Sequence, residues 1–377
     1  MTYHVNTQFV QLGNRSEKET GTVNPPVYFS TAYRHPGLGE STGYDYTRTK
    51  NPTRAVLEEG IARLEEGDEG YATSSGMAAV QLVLSLFKQG EVILASDDIY
   101  GGTYRLLRHY EEAYGIQTRY VDTNNRRKLE EAICEKTRAI LVETPTNPLM
   151  HVTDIEEVSK LAREYNLLTI VDNTFLTPYL QKPILLGADI VIHSATKFIG
   201  GHNDVLAGLV VAKGKDLCER LFAIHNGAGA VLAPLDCWLL VRGLKTLSLR
   251  MDRHQENASK AAQFLEQQPG ITDVLYPGIG GMVSFRLKKE SWIDPFLREL
   301  ELITFAESLG GVESFITYPA TQTHADIPEE ERQHRGICNR LLRFSVGIEH
   351  IDDLTKDLEK ALRQVQKEEI DDDQTSL

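Results

Sequence analysis

A lysine close to two hydroxyl side chains follows an apolar run near the middle of the chain. The run 190–192 predicts a buried strand, and Ser194, Thr196 and Lys197 come directly after it. A lysine amine can condense with a carbonyl group, and two hydroxyls can donate hydrogen bonds to a phosphate. The same residues are also typical of an ordinary solvated loop between a strand and a helix. The rest of the sequence has to decide between the two interpretations.

Three further polar residues follow other predicted strands. Tyr100 follows the stretch "GEVILAS", Asn147 follows "AILVETPT", and Asp172 follows "LLTIV". In open α/β sheets a ligand binds beyond the carboxyl ends of the strands, so we expect these residues to converge with Lys197. Asp172 precedes Lys197 by 197 − 172 = 25 residues, about one strand–crossover–strand period. The two side chains are therefore expected at neighbouring strand ends.

A second candidate anion site lies in "TSSGMAA", residues 73–79. This stretch places Gly76 and Met77 at the predicted start of a helix, where free backbone N–H groups and the helix dipole favour an anion. Gly76 also allows the backbone to approach a phosphate closely. A plain helix N-cap is the alternative interpretation of this stretch on its own.

Together these groups match the requirements of pyridoxal phosphate. This cofactor needs an amine for its aldehyde, a carboxylate at its pyridine nitrogen, a phosphate cradle and a flat surface against its ring. The amine could come from Lys197 and the carboxylate from Asp172. The phosphate cradle could be the anion site at Gly76 with the two hydroxyls, and the flat surface could be the ring of Tyr100. A nicotinamide cofactor is disfavoured, because no predicted strand leads into a GxGxxG stretch.

The elements that must position these residues alternate between strand and helix from Thr53 to about residue 212. This alternation predicts an α/β fold with a mostly parallel sheet and helices on both faces. The first helix of this part is expected to end at Gly67. One continuous helix is expected over 235–268, and a later helix is expected to end within 305–311.

Three parts of the chain are predicted. Residues 1–55 are weakly periodic and form an arm, residues 56–235 form the large cofactor-binding domain, and residues 236–377 form a smaller C-terminal α/β domain with the linking helix. The acidic last ten residues, 368–377, are expected to be disordered.

Composition limits the classes of partner. Lys and Arg number 40 against 54 Asp and Glu, so the formal charge of −14 argues against nucleic acid and anionic membranes. No apolar run is long enough to span a bilayer, and the N-terminus lacks the pattern of a signal peptide. The four cysteines show no metal-ligand spacing, which favours reduced thiols, no metal and a cytoplasmic location. Small molecules are the expected partners.

Nine stretches in order along nearly the whole chain resemble the Cys/Met-metabolism family of pyridoxal-phosphate enzymes. This family includes cystathionine γ-synthases, cystathionine lyases, methionine γ-lyases and O-acylhomoserine sulfhydrylases. The matching stretches are "YDYTRTKNPT", "TSSGMAA", "DDIYGGTYR", "ETPTNP", "VDNTF", "HSATKFIGGHND", "GGVESF", "PATQTHA" and "LLRFSVGIE". One departure is "LYPGIGGMVSF", which lacks a segment that the family usually has after Pro277.

The resemblance implies a fold type I aminotransferase-like enzyme and a role for each motif residue. Lys197 would bind the cofactor covalently and shuttle protons, and Tyr100 would stack on the ring and assist catalysis. Asp172 would pair with the pyridine nitrogen. The phosphate would be bound by the remaining cofactor residues, which are Gly76, Met77, Ser194 and Thr196 from one subunit and Tyr46 and Arg48 from its neighbour. A homo-oligomer therefore follows, with the family pattern indicating a tetramer of two-fold dimers.

The resemblance also implies a substrate site and a choice of reaction. Arg343 would bind the substrate α-carboxylate, with Asn147, Glu313 and Ser314 as further substrate-binding residues. Methionine γ-lyases have a cysteine two residues after the stacking tyrosine, whereas this chain has Gly102.

Two acidic residues indicate which member of the family the chain resembles. Glu313 resembles the γ-synthase and γ-lyase pattern, and Asp45 stands before the arm tyrosine as in γ-synthases. The expected activity is cystathionine γ-synthase, which joins an O-acylhomoserine to cysteine in methionine biosynthesis. An O-acetylhomoserine sulfhydrylase activity in the same site and a cystathionine γ-lyase are the alternatives. A non-enzymatic alternative is a protein that binds pyridoxal phosphate for regulation or assembly and catalyses no reaction. The acyl group and the preferred thiol stay open.

Overall fold

The chain forms two compact units. The structure, a computed structural model, describes the backbone of residues 3–375 and the side chains of residues 3–367. The first unit comprises the chain up to Asp97 together with Thr103–Glu143 and Thr153–Ser248. The second comprises Asp98–Gly102, Thr144–Val152 and the chain from Leu249 onward.

The first unit contains strands and helices in alternation. Their bounds are α1 Val5–Val10, α2 Pro52–Glu65, β1 Glu69–Thr73, α3 Gly76–Leu84, β2 Val92–Ser96, α4 Gly101–Tyr114, β3 Gln117–Val121, α5 Arg126–Ala132, β4 Thr137–Glu143, α6 Ile155–Glu164, β5 Leu168–Asp172, α7 Thr177–Leu180, β6 Ile190–Ser194, β7 Gly208–Ala212, α8 Lys215–Ala228 and α9 Pro234–Leu244. Before α2, the described chain has α1 and an isolated bridge between Ala32 and Tyr46.

The seven strands of this unit form one mostly parallel sheet. Their order is β1-β7-β6-β5-β4-β2-β3, and β7 runs antiparallel to both of its neighbours. The strands β2 to β6 pair in parallel. Strands such as β2 and β7 are buried along their whole length, as the continuous apolar runs of the sequence indicate. The predicted α/β fold with a mostly parallel sheet is confirmed.

The end of α2 differs from the prediction. Glu66, rather than Gly67, adopts the left-handed conformation that ends the helix, with φ of 64°. Gly67 is required for a different reason. A Cβ atom there would lie 2.3 Å from Cγ1 of Val211, so only glycine lets the chain pass this close to β7.

The second unit is built on a smaller sheet. Its elements are α10 Leu247–Glu266, β8 Ile271–Leu275, β9 Met282–Leu287, α11 Ile293–Glu299, β10 Thr304–Phe305, β11 Phe315–Thr317, α12 Glu329–His334, β12 Leu341–Ser345 and α13 Ile351–Thr375. The strand order is β10-β11-β12-β9-β8, with only the β10–β11 pair parallel among the described residues. The shortened segment of the sequence is the short connection 276–281 between the antiparallel neighbours β8 and β9.

Two helix predictions after Pro234 are wrong. The helical pattern 235–268 is interrupted between α9 and α10, where Thr246 N–H bonds to the carbonyl of Gly243 and tightens the turn. The expected helix end within 305–311 is not helical, because α11 stops at Glu299. The carboxylate of Asp357 then accepts hydrogen bonds from the backbone N–H groups of 301–303, which holds the chain out of the helix.

The C-terminal tail also differs from the prediction in part. Helix α13 continues to Thr375, so residues 368–375 extend the preceding helix instead of being disordered. Propagation of an existing helix needs no new nucleus, which favours this extension. Residues 376 and 377 lie outside the described residues. Within residues 3–375, no helix combines the length and the apolar character that crossing a membrane requires.

Candidate functional site

Lys197 lies in a tight turn at the carboxyl end of β6. Its N–H bonds to the carbonyl of Ser194 at 3.2 Å, and its own carbonyl accepts from Gly201 N–H at 2.8 Å. The side chain is half-buried. The apolar strand is therefore followed by a turn that presents the lysine at the end of the sheet where ligands bind in α/β folds.

Asp172 and Ser194 are linked by a residue that the sequence analysis missed. Asp172 ends β5, which pairs with β6. Thr174 donates from Oγ1 to Asp172 Oδ1 at 2.5 Å, and the same oxygen accepts from Ser194 N–H at 2.9 Å. The sequence did contain an indication of this contact: the hydroxyl of Thr174 comes two residues after the carboxylate of Asp172, a spacing typical of local turns closed by a side chain. This bond pair fixes the carboxylate relative to the next strand end.

Electrostatics at Asp172 combine opposing effects. Desolvation raises the pKa of the Asp172 carboxyl, whereas the hydrogen bonds from the side chain and backbone of Thr174 and the charge of His193 lower it. His193 is fully buried and its Nε2 lies 2.7 Å from Glu65 Oε1. Asn173 Nδ2 donates to the same oxygen at 3.1 Å. A desolvated carboxylate with its own donors is suited to holding a protonated ring nitrogen.

The start of α3 lies against the end of β6. Ser75 caps the helix by accepting from Ala78 N–H at 3.1 Å. The N–H groups of Gly76 and Met77 belong to the first turn, where a helix has no backbone acceptor for them. A Cβ atom on Gly76 would lie 2.8 Å from both Cβ and Oγ of Ser194. The two predicted anion-binding stretches are thus in contact, with room for no larger residue than glycine between them.

Thr196 has local hydrogen bonds of its own. Its Oγ1 accepts from Ala207 N–H at 3.0 Å and donates to the Ala207 carbonyl at 3.2 Å. These bonds fix the hydroxyl between the ends of β6 and β7. Its orientation is therefore set by the far end of the same loop, directly before β7.

These residues of the first unit fit pyridoxal phosphate. An amine, a desolvated carboxylate and a glycine cradle at a helix start occupy adjacent ends of β5, β6 and α3. Lys197, Asp172 and Gly76 would hold the aldehyde, the ring nitrogen and the phosphate in turn. The donor set has the chemistry that this cofactor needs.

Tyr46 and Arg48 lie on the surface of the first unit. Both are exposed, and the Arg48 guanidinium lies 5.7 Å from the centre of the Tyr46 ring. Arg48 Nη1 donates to the backbone carbonyl of Asn226 and to its Oδ1, the latter at 3.1 Å. The guanidinium is thus held in one orientation by α8.

Arg343 in the second unit is a fully buried guanidinium. It lies in β12 and is 2% exposed. Nη1 donates to Asn147 Oδ1 at 2.9 Å, and Nη2 donates to Thr317 Oγ1 at 2.9 Å and to the Ser308 carbonyl at 3.1 Å. The structure therefore brings the predicted Arg343 and Asn147 together. Thr317 and Ser308 were missed, because nothing in their local sequence marks them.

A neutral histidine lies beside this guanidinium. Burial, and secondly the charge of Arg343, lower the pKa of His324 to about 3. Its Nδ1 lies 2.8 Å from Thr323 Oγ1. The same segment packs under Gly101, since a Cβ atom there would lie 2.4 Å from the Thr323 carbonyl oxygen. The main chain after Tyr100 therefore lies close to the segment 323–324.

Glu313 and Ser314 precede β11 and differ in exposure. Glu313 is exposed, whereas Ser314 is 1% exposed. The Ser314 hydroxyl donates to Glu349 Oε2 at 2.9 Å and accepts from Gly347 N–H at 2.8 Å. Its hydrogen is therefore directed into the protein.

The structure groups the predicted residues by unit. The first unit brings together Lys197, Asp172, Ser194, Thr196, Gly76 and Met77, and it also carries Tyr46 and Arg48. The second unit carries Tyr100, Asn147, Glu313, Ser314 and Arg343. The roles assigned to these residues from the resemblance stay predictions.

Comparison with known proteins identifies the family. The model of the Cys/Met metabolism PLP-dependent enzymes matches residues 6–363. A cystathionine gamma-synthase/O-acetylhomoserine (thiol)-lyase of Bacillus subtilis is 61% identical, over 97% of this chain and 98% of that protein. A cystathionine gamma-synthase of Haemophilus influenzae is 60% identical, over 95% of this chain and 98% of that protein.

Solved structures have the same fold. A crystal structure of cystathionine gamma synthase from Xanthomonas oryzae pv. oryzae, in complex with aminoacrylate and cysteine, superposes with a TM-score of 0.95. The two chains are 39% identical, and the match covers 97% of this chain and 100% of the other. The resemblance stated from the sequence is confirmed, and the chain belongs to the Cys/Met metabolism family of PLP-dependent enzymes.

Proposed function

We propose that this enzyme is a cystathionine γ-synthase, which joins an O-acyl-L-homoserine and L-cysteine to give L-cystathionine in methionine biosynthesis. The observation that carries the proposal is the 60–61% identity, over nearly the full length, to two relatives of that name. The name of the Bacillus subtilis relative also includes O-acetylhomoserine (thiol)-lyase. Use of sulfide in place of cysteine is therefore the second candidate activity. We place the enzyme in the cytoplasm.

Lys197 and Asp172 have distinct proposed roles. Bound pyridoxal phosphate supplies an electron sink for negative charge at the substrate carbon. The Lys197 amine would hold the cofactor's aldehyde in the resting enzyme and, when a substrate amine takes its place there, the freed Nζ would take and return the substrate protons. The Asp172 carboxylate holds the proton at the ring nitrogen, supported by Thr174, whose hydroxyl keeps one carboxylate oxygen in place. The hydrogen bonds to Asp172 oppose the desolvation, which still raises its pKa on balance.

The phosphate is proposed to bind at the start of α3. The backbone N–H groups of Gly76 and Met77 and the hydroxyls of Ser194 and Thr196 would donate to it, with the Thr196 hydroxyl turning from the Ala207 carbonyl that it bonds in this structure. Tyr100 is proposed to stack on the ring and to assist substrate deprotonation. The main chain next to it is closely packed, because a Cβ atom on Gly101 would lie 2.4 Å from the Thr323 carbonyl oxygen.

Arg343 is proposed to bind the substrate α-carboxylate through a two-pronged, charge-assisted pair. Asn147 and Thr317 support this role by accepting hydrogen bonds from the guanidinium. The neutral state of His324, whose pKa is lowered to about 3, avoids a second positive charge beside it. With His324 neutral, the Arg343 guanidinium would be the partner of the substrate α-carboxylate in this buried part of the site.

Glu313 is proposed to bind the ammonium group of the incoming cysteine, with a contribution from Asp45. Its exposure makes the carboxylate accessible to a small ligand. Ser314 takes part by supporting this segment, because its hydroxyl donates to Glu349.

The active form is proposed to be a homo-oligomer, with Tyr46 and Arg48 serving the phosphate of the neighbouring subunit. Several large apolar side chains of the arm, Val23, Phe29 and Leu38, are largely exposed in the single chain. Exposed apolar side chains of this size within one segment support contact with a partner. A second copy covers it in a two-fold dimer, and two dimers form the tetramer.

A substrate panel tests the proposed function. Purified enzyme is supplied with O-acetyl- or O-succinylhomoserine together with cysteine or sulfide, and separately with cystathionine, and the products are separated by chromatography. We expect cystathionine from an ester plus cysteine, at a greater rate than cystathionine is cleaved. Cleavage alone would assign a γ-lyase, and no turnover by cofactor-loaded protein would contradict an enzymatic role for this site.

Gly76→Ala tests the phosphate cradle. The added Cβ atom would lie 2.8 Å from Ser194, so the contact must open and the phosphate contacts are disturbed. We expect cofactor affinity to fall about tenfold or more, measured by the visible absorbance of bound cofactor during titration. The circular dichroism spectrum of the cofactor-free protein is the control for folding. Unchanged affinity in a folded variant would place the phosphate elsewhere.

Mixed dimers test the sharing of sites. Arg48→Ala and Lys197→Ala are each expected to be inactive. After subunit exchange, a mixed dimer holds one site with both residues intact, so part of the activity should return. Exchange is verified with differently tagged subunits. If tagged mixed dimers form and stay inactive, Arg48 does not act across the subunit boundary.

Glu313→Ala tests the choice of thiol. Loss of the carboxylate should raise the KM for cysteine and leave release of the acyl group unchanged, since only the second substrate loses a contact. Product should shift from cystathionine towards 2-oxobutanoate. Sulfide carries no ammonium group, so any activity with sulfide should be less affected. An equal loss with cysteine and sulfide would argue for a structural role of Glu313.

A further inference from the structure

The carboxylate of Glu349 is bound to the residue next to Glu313. Oε1 accepts from the backbone N–H of Ser314 at 2.6 Å, and Oε2 accepts from its hydroxyl at 2.9 Å. Hydrogen bonds to an ionised acceptor are about twice as strong as those between neutral groups. One side chain of the turn after β12 therefore holds both the main chain and the side chain of Ser314.

Two further bonds join the same pair of segments. Ile348 N–H donates to the carbonyl of Val312 at 2.9 Å, and Gly347 N–H donates to the Ser314 hydroxyl at 2.8 Å. Glu313 lies between Val312 and Ser314, so its main chain is held on both sides by the turn 347–349.

Hydrogen bonds from α10 hold the turn 347–349. His254 Nδ1 lies 2.7 Å from the carbonyl of Val346, and Asn257 Nδ2 donates to the carbonyls of Gly347 and Glu349 at 3.0 and 2.8 Å. Burial lowers the pKa of His254 to about 4, so the ring is neutral at physiological pH and Nδ1 carries the donated hydrogen. The support for the Glu313 segment thus extends to a helix of the same unit.

Gly347 leaves no space for a different arrangement. A Cβ atom there would lie 2.1 Å from Glu349 Oε2 and 2.5 Å from the Val312 carbonyl oxygen. The carboxylate fills the volume that a side chain at this position would need. The contact between the turn and the segment 312–314 is therefore specific to glycine and to a carboxylate of this length.

From these contacts we propose that Glu349 is a positioning residue that fixes the orientation of Glu313 and thereby the enzyme's selection of cysteine. The inference rests on the proposed role of Glu313 in binding the cysteine ammonium. Ser314 is buried whereas Glu313 is exposed, so holding the first from inside sets the direction in which the second projects. Loss of the Glu349 carboxylate loosens the segment without removing any group that contacts substrate.

Glu349→Gln is the test, with Asp352→Asn as the matched control. Gln keeps the size of the side chain but can accept at only one of the two positions, so the Ser314 hydroxyl loses its acceptor. Asp352 is an exposed carboxylate three residues away whose removal changes the charge equally and leaves Ser314 untouched. We expect Glu349→Gln to raise the KM for cysteine about three- to tenfold with release of the acyl group unchanged, and Asp352→Asn to resemble the parent.

Two further measurements separate positioning from general damage. Hydrogen exchange of the Ser314 amide should accelerate in Glu349→Gln, independent of activity. In a Glu313→Ala background, adding Glu349→Gln should change the KM for cysteine no further, because the group being positioned is already absent.

An unchanged KM for cysteine, an unchanged Ser314 exchange rate, or additive effects in the double variant would each overturn the inference. If Glu313→Ala alone leaves the KM for cysteine unchanged while cystathionine is still made, the role of Glu313 and this inference fail but the proposed function stands. If the parent enzyme makes no cystathionine, the proposed function fails, and accelerated Ser314 exchange would then support only the positioning of the segment.

Discussion

The proposed cofactor site of the first unit requires one carboxylate, Asp172, to be ionised at the end of a largely buried sheet. Removing a carboxylate from water favours its neutral form, and desolvation does raise the pKa of Asp172. Thr174 opposes this effect with two hydrogen bonds, one from the hydroxyl and one from the backbone N–H. The same hydroxyl accepts from Ser194 N–H on the next strand. One side chain therefore both stabilises the charged form of Asp172 and fixes the distance between the two strand ends. These bonds join the end of β5 to the end of β6, directly before the turn with Lys197.

The second unit stabilises a buried cation, the guanidinium of Arg343, in a similar way. Arg343 is buried, and its two terminal nitrogens have three acceptors from three different segments of the same unit. A buried charge without such partners would cost several kcal/mol, roughly the whole stability of many domains. His324 stays neutral beside it, so the positive charge remains on the guanidinium. Both units thus surround one desolvated ionisable group with fixed hydrogen-bond partners.

The sequence predicted the strand ends well and the supporting contacts poorly. Lys197 and Asp172 could be predicted because they follow apolar runs and because their chemistry is unusual in combination. Thr174 and Thr317 could not, since a threonine near a strand is ordinary until its partner is known. The same holds for Glu349, whose partner lies 35 residues away along the chain. The break between α9 and α10 was missed because no proline marks it, and periodicity alone does not detect one tight turn.

The exposed arm has a consequence for how the enzyme retains its cofactor. Tyr46 and Arg48 lie at the surface of the chain that carries them, with Arg48 oriented by Asn226. If they complete a neighbour's phosphate site, as proposed, then dissociation of the subunits removes two contacts from each bound cofactor. Binding and assembly are then thermodynamically linked, so each strengthens the other by mass action. Dilution would release cofactor, and excess cofactor would hold the subunits together.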